Sequence, residues 1–194
     1  PYTTLFRSTR LHQLLVSQHK DKPGLLETMF SSHPMSTDRM ARAQENRARV
    51  LAGRDCKPLP GVFIFRGRSG DARILENEAE IAERLEVDYG FRTLYTDRDD
   101  AGAIAEAVGG TGLVLGVEGS QLAHGVIGMA PGGTVMTLQP ADRVTTSLKL
   151  LTDCWRQGYA MLVGDGTAQG FRVEWDQIQR TLDLIAARNA ENPS

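Results

Sequence analysis

Three short segments of this chain carry side chains that could do chemistry, and each adjoins a run of strand-forming residues. The first is FRGRSGDARILENE, where Arg66, Arg68 and Arg73 follow the apolar run GVFIF. A guanidinium presents a fork of N–H donors that matches phosphate oxygens, so three arginines gathered there suit a nucleotide diphosphate. A solvated loop is the competing reading. The second segment is GVEGSQLAHG. Gly116 and Gly119 permit close backbone approach, and the N–H groups of a helix beginning at Ser120 favour an anion. Glu118 is ill suited to phosphate and well suited to ribose or sugar hydroxyls, because an ionised carboxylate only accepts hydrogen bonds. Ser120 reads equally well as a simple helix cap, and His124, one turn further on, as a structural histidine; Gln121 completes the candidate set. The third segment, APGGTVMTLQP, places Gly132-Gly133 in a tight turn leading into a strand. None of these is a true GxGxxG or Walker A loop, so the residues alone imply an anion or nucleotide pocket and leave the catalytic base unknown.

The elements that must position these segments alternate regularly after the Pro-rich junction CKPLP at 56–60. GVFIFR reads as a short buried strand, NEAEIAERLEVDYG as a helix with Ile81, Leu85 and Val87 inward, and FRTLYT as a strand. DDAGAIAEAVGG is a helix capped by Asp99 or Asp100. GLVLGVEG and GTVMTLQP are strands separated by the helix SQLAHGVIGMA, and RVTTSLKLLTDCWRQ, GYAMLVGDG and EWDQIQRTLDLIAARNA follow as helix, strand and helix. Such alternation predicts right-handed βαβ units: an α/β, Rossmann-like, mostly parallel sheet with helices on both faces. Ligands of these sheets bind beyond the carboxyl ends of the strands, where the three segments fall.

Ahead of that body lie two stretches of different character. Residues 1–8, PYTTLFRS, resemble a translated sequencing adapter and are set aside as a tail. Residues 9–57 predict a short helical appendage. TRLHQLLVSQ has helical spacing, Pro23-Gly24 ends it, and a second helix runs from Ser36 or Thr37 to Gly53. In that helix Met40, Ala43, Arg47 and Val50 give a thin apolar face, which needs a larger body to pack against.

The order of motifs in residues 58–194 carries a resemblance. An arginine-rich turn, then Ile74-Leu75-Glu76-Asn77-Glu78, then Gly116-Val117-Glu118-Gly119-Ser120-Gln121-Leu122, then Pro131-Gly132-Gly133-Thr134-Val135, is similar to glycosyltransferase family 61 over about residues 60–190. Arg68, Asn77, Glu78, Gly116, Gly119, Ser120 and Leu122 match family positions. Glu118 stands where a His is usual and His124 where an Asn is usual, a version that resembles a bacterial subgroup. The resemblance implies the C-terminal lobe of a GT-B enzyme that inverts configuration without a metal. It also implies a nucleotide-sugar donor (a UDP-sugar), a glycan or hydroxyl acceptor, a role in polysaccharide biosynthesis, and a further N-terminal lobe expected to be missing from this chain. Another Rossmann-type nucleotide-binding protein, or a degenerate domain that binds nothing, is the alternative. The string KDKPGLLETMFSSHPMSTDRMARAQ resembles instead the tail of the HtpX/BepA-like zinc metallopeptidases, family 48, so the join at 56–60 reads as chimeric.

The bulk numbers narrow the field. A net charge of −2 and 24% charged residues lack the basic surplus of a nucleic-acid binder. No apolar run approaches the roughly 18–20 residues of a membrane span, and no signal peptide is evident. Cys56 and Cys154 sit in no metal-ligand spacing and read as free thiols of a cytoplasmic protein. A peptidase of the family named would hold zinc through His-Glu-x-x-His, which the sequence lacks; His12 and His19 are seven residues apart, and His33 stands alone. The purified chain is therefore expected to leave casein intact with or without a chelator, and chelator-sensitive cleavage would overturn this.

Overall fold

The computed structural model describes residues 3–6, 37–68, 70–130 and 132–191. Residues 9–36, with His12, His19, His33 and the first expected helix, lie outside the described residues. The predicted α/β class holds. Strands β2 (Val62–Phe65), β3 (Arg92–Tyr95), β4 (Leu113–Val117), β5 (Thr134–Pro140) and β6 (Gly158–Thr167) run parallel in the spatial order β6-β5-β4-β2-β3. Counted in chain order from β2, that is the doubly wound arrangement 2-1-3-4-5, whose direction of winding reverses between β2 and β4.

The sheet is apolar on both faces, as a parallel sheet covered by helices must be. On one face Phe63, Leu115, Val117, Met136, Leu138 and Leu162 meet helices α2 (Glu78–Tyr89) and α6 (Trp175–Glu191) through Ile81, Leu85, Ile178, Leu182 and Ile185. On the other, Val62, Ile64, Val114 and Val135 meet α3 (Ala101–Gly109), α4 (Ala123–Gly128) and α5 (Ser147–Cys154) through Ile104, Val108, Val126 and Leu148. The period-2 alternation of each strand thus divides its residues between two cores. Asp100, not Asp99, caps α3, its carboxylate accepting from Gly102 N at 2.7 Å and Ala103 N at 2.9 Å. Helix α2 stops at Gly90, where φ is +69°, a left-handed conformation that costs glycine little. Val87 is not inward as expected; it is 77% exposed, because the helix meets the sheet through Ile81 and Leu85 alone of that set.

Three features depart from the sequence expectation. Residues 3–6, set aside as a tail, form strand β1 (Thr3–Phe6) and pair antiparallel with β6. Edge pairing engages backbone groups and asks little of the sequence, so composition gives no warning of it. A short strand β7 (Gly170–Arg172) folds back on β6 as a hairpin. Finally, α1 (Thr37–Leu51) finds its larger body by a polar route. Arg47 Nε donates to the carbonyls of Gly128 (2.9 Å) and Met129 (3.1 Å), so a cation sits at the carboxyl end of α4.

Two glycines are set by packing. A Cβ at Gly116 would lie 2.6 Å from the Ile64 carbonyl of the paired strand β2, and one at Gly125 would lie 2.7 Å from Val114. Gly116→Ala should cost about 1–3 kcal/mol in urea unfolding, the usual penalty of overpacking, and an unchanged midpoint would refute the tight approach of β2 and β4. Arg47→Ala should speed proteolytic cleavage between residues 51 and 60 while amide exchange in β4 and β5 stays the same.

Candidate functional site

Strands β2 and β4 are neighbours, and their carboxyl ends open into one cleft of about 570 Å³. That volume lies within the common range of ligand pockets. It sits where the winding of the sheet reverses, the position that topology favours. Of the nine residues singled out in the sequence, seven line it: Arg66, Arg73, Glu118, Gly119, Ser120, Gln121 and His124. Gly70, Asp71 and Thr96 complete the wall. Thr96 follows β3 at the same edge, so the strand-end rule that located the other two turns could have found it.

Arg68 and Gly116 do not line the cleft. Arg68 is exposed and stands beyond Gly67, which turns the chain with a φ of +60°. Gly116 lies beneath the cleft and permits strand approach, not ligand approach, since the atom its Cβ would meet is the Ile64 carbonyl. Gly119 does belong at the surface of the site. A Cβ there would run into Arg66 Nη1 and Gln121 Oε1, so any larger residue displaces the guanidinium.

The turn after β2 is held by side chains. Glu78, the first residue of α2, accepts from Arg66 N with Oε1 at 2.7 Å and from Gly67 N with Oε2 at 2.8 Å. Its neighbour Asn77 donates from Nδ2 to Val173 O at 2.9 Å, which fixes the start of the helix. Burial pushes the Glu78 carboxyl above its ordinary range, and the two backbone N–H groups oppose that shift. From the turn, the Arg66 guanidinium reaches across to β4: Nη1 donates to Gln121 Oε1 at 3.0 Å and to Glu118 O at 3.4 Å, while Nη2 donates to Asp71 O at 2.8 Å. Burial first, and the charge of Arg73 second, lower its pKa; an arginine stays protonated regardless.

Glu118 is not an open carboxylate. Its Oε2 lies 3.0 Å from Arg73 Nη2, with the two side chains 7% and 13% exposed. The contact is an ion pair without the direction of a hydrogen bond, since Glu118 Oε2 and Arg73 Nε are both buried with no hydrogen-bond partner. The expected division of labour, arginines for phosphate and Glu118 for hydroxyls, is therefore modified: Arg73 is engaged by Glu118 across the cleft. Asp71 is likewise paired, 2.9 Å from Arg143 Nη2 at the far end of β5, and that hydrogen bond holds its carboxyl below the ordinary range.

The second turn is shorter than expected. Ser120–Leu122 is a single 3-10 turn, and α4 begins only at Ala123 and ends at Gly128. Ser120 is exposed and caps nothing; Gly119 occupies the cap position. So short a helix has little dipole to offer an anion. Gln121 anchors the turn instead, donating from Nε2 to Val117 O at 2.6 Å. His124 is exposed at the cleft wall. Gly132, at φ +85°, makes the expected tight turn into β5. Among the described residues, no group of three or more His, Cys, Asp and Glu could hold a metal. No helix among them is long and apolar enough to cross a membrane. Cys56 and Cys154 form no disulfide, and Cys154 Sγ donates to Leu150 O at 3.0 Å.

A comparison with curated proteins returns no match. The family model for glycosyltransferase 61 matches residues 11–137. That range holds both turns of the cleft, strands β2 to β4 and half of β5, and it spans the Pro-rich junction at 56–60. It also includes the stretch whose sequence resembles a metallopeptidase tail. The match takes in well over half of the chain, and with the sheet and cleft described above it places the protein: this chain belongs to glycosyltransferase family 61.

Proposed function

We propose that the cleft between the Arg66–Arg73 turn and the Glu118–His124 turn binds the nucleotide diphosphate of a UDP-sugar. On this reading the unit is the donor lobe of an inverting, metal-independent GT-B glycosyltransferase that transfers to a glycan or hydroxyl acceptor. The observation that carries it is the convergence of two arginines and one buried carboxylate on a single cleft at the reversal point of the sheet. A diphosphate is a stronger acceptor than the neutral oxygens that Arg66 now contacts, because hydrogen bonds between ionised partners are roughly twice as strong. Arg73 answers the objection that a carboxylate beside phosphate repels it: the guanidinium 3.0 Å from Glu118 cancels that charge, and the carboxylate can still accept from hydroxyls.

In the transfer, an acceptor hydroxyl attacks the anomeric carbon and its proton passes to a base that the sequence does not identify. The bond from that carbon to the diphosphate oxygen breaks, and UDP leaves carrying the electron pair. Arginines at the diphosphate stabilise the charge that builds on the leaving group.

Calorimetry with UDP, uridine and pyrophosphate tests the proposal. Arg66→Ala should weaken UDP by about 1.5–3 kcal/mol, tenfold or more. Glu118→Gln should weaken uridine and leave pyrophosphate unchanged or tighter. Arg68→Ala, outside the cleft, should bind as the wild type does. Equal UDP affinity in all four proteins would place the site elsewhere. No binding to the folded wild type at millimolar UDP would remove the proposal's main support.

A further inference from the structure

Strand β2 ends abruptly, and what ends it is a side chain. Beyond Phe65 the next two backbone N–H groups, those of Arg66 and Gly67, leave the sheet and are both taken by Glu78. A carboxylate that receives consecutive N–H groups, one on each oxygen, fixes the position and the direction of the peptide between them. Glu78 is 4% exposed, and it is held from behind by Asn77 on Val173 and by the burial of Ile81, Ala82 and Leu85 in the sheet-facing core. The clamp therefore stands on a rigid helix and closes on a turn that contains a glycine in left-handed conformation. Arg66 is the first residue the clamp holds, and its guanidinium then spans to Gln121 on the opposite wall.

We infer that Glu78 is a positioning residue for the diphosphate half of the donor site, acting through the backbone of Arg66 and not by touching ligand. This rests on the cleft being the donor site. Burying a carboxylate is costly unless its oxygens are satisfied, and here both are spent on the turn. Without the clamp two N–H groups lose their acceptor, and the Arg66 side chain loses the fixed root from which a guanidinium gains geometric specificity. Gln is nearly isosteric and retains one acceptor, but it turns an N–H₂ toward one of the two backbone donors, so it opens half of the clamp.

Calorimetry on the full chain with pyrophosphate and with uridine, applied to Glu78→Gln, Arg66→Ala and the double variant, tests the inference. Glu78→Gln should weaken pyrophosphate about tenfold while uridine binds as to the wild type. In the Arg66→Ala background it should cause no further loss, because the two residues act as one unit. Parallel loss of both ligands, losses that multiply in the double variant, or unchanged pyrophosphate affinity would each overturn it. If Arg66→Ala itself binds pyrophosphate normally, the donor-site reading fails and not the clamp alone. Should Glu78→Gln melt out, Glu78→Asp serves in its place. The shorter side chain cannot span both N–H groups, so pyrophosphate should again weaken selectively, and wild-type affinity would overturn the inference.

Discussion

Strands β2 and β4 lie side by side with their closest approach at residue 116, which has no side chain. With Ile64 O 2.6 Å from where a Cβ would stand, any other residue would force the pair apart at the register Ile64↔Gly116. This approach brings together two strands that are distant in sequence and reverses the winding of the sheet. It also sets the carboxyl ends of β2 and β4 beside each other. The cleft, the reach of Arg66 across to Gln121 and the ion pair of Arg73 with Glu118 all follow from that one adjacency. A glycine that reads in the sequence as a ligand contact is a condition of the topology beneath the ligand site.

Around that adjacency the turns are held by polar contacts as well as by the burial of Leu75 and Leu122 in the two cores. Glu78 grips one turn, Gln121 anchors the other to Val117, and Asp71 ties the loop between β2 and α2 to Arg143 after β5. Loops at the surface of a sheet have little apolar area to bury, so hydrogen bonds and ion pairs must fix their shape. The same rule appears in α1, where Arg47 donates to the carbonyls of Gly128 and Met129 while Val50, expected on the apolar face, is 44% exposed.

Much of the fold was legible because parallel strands buried on both faces write themselves as apolar runs, and VFIF, LVLGV and TVMTLQP all do so. Arg66 and Glu118 were legible for a related reason: charge directly after such a run must lie at the strand's end, and Arg73 lies in the loop that leaves from there. What the sequence hid is pairing and direction. Nothing in local pattern tells that Arg66 lines the cleft and Arg68 does not. Nor could spacing show that Glu118 meets Arg73, 45 residues away along the chain, or that a four-residue segment at 3–6 would find the open edge of β6. Val87 misled because, two residues after Leu85, it lies on the opposite face of the helix and is left exposed. The family itself was carried by motif order, and the matched range, 11–137, begins earlier than those motifs suggested and stops well short of residue 190.

The mutual neutralisation of Arg73 and Glu118, with Asp71 and Arg143 paired beside them, gives the cleft opposite charges close together instead of a one-sided field. Opposed charges a few ångströms apart project little potential past a Debye length, about 8 Å in physiological salt. Those two pairs add little long-range pull on anions to that of Arg66, and the chain's net charge of −2 adds none of its own. Capture falls to the fit between ligand and wall once they touch, and its rate should respond only weakly to ionic strength.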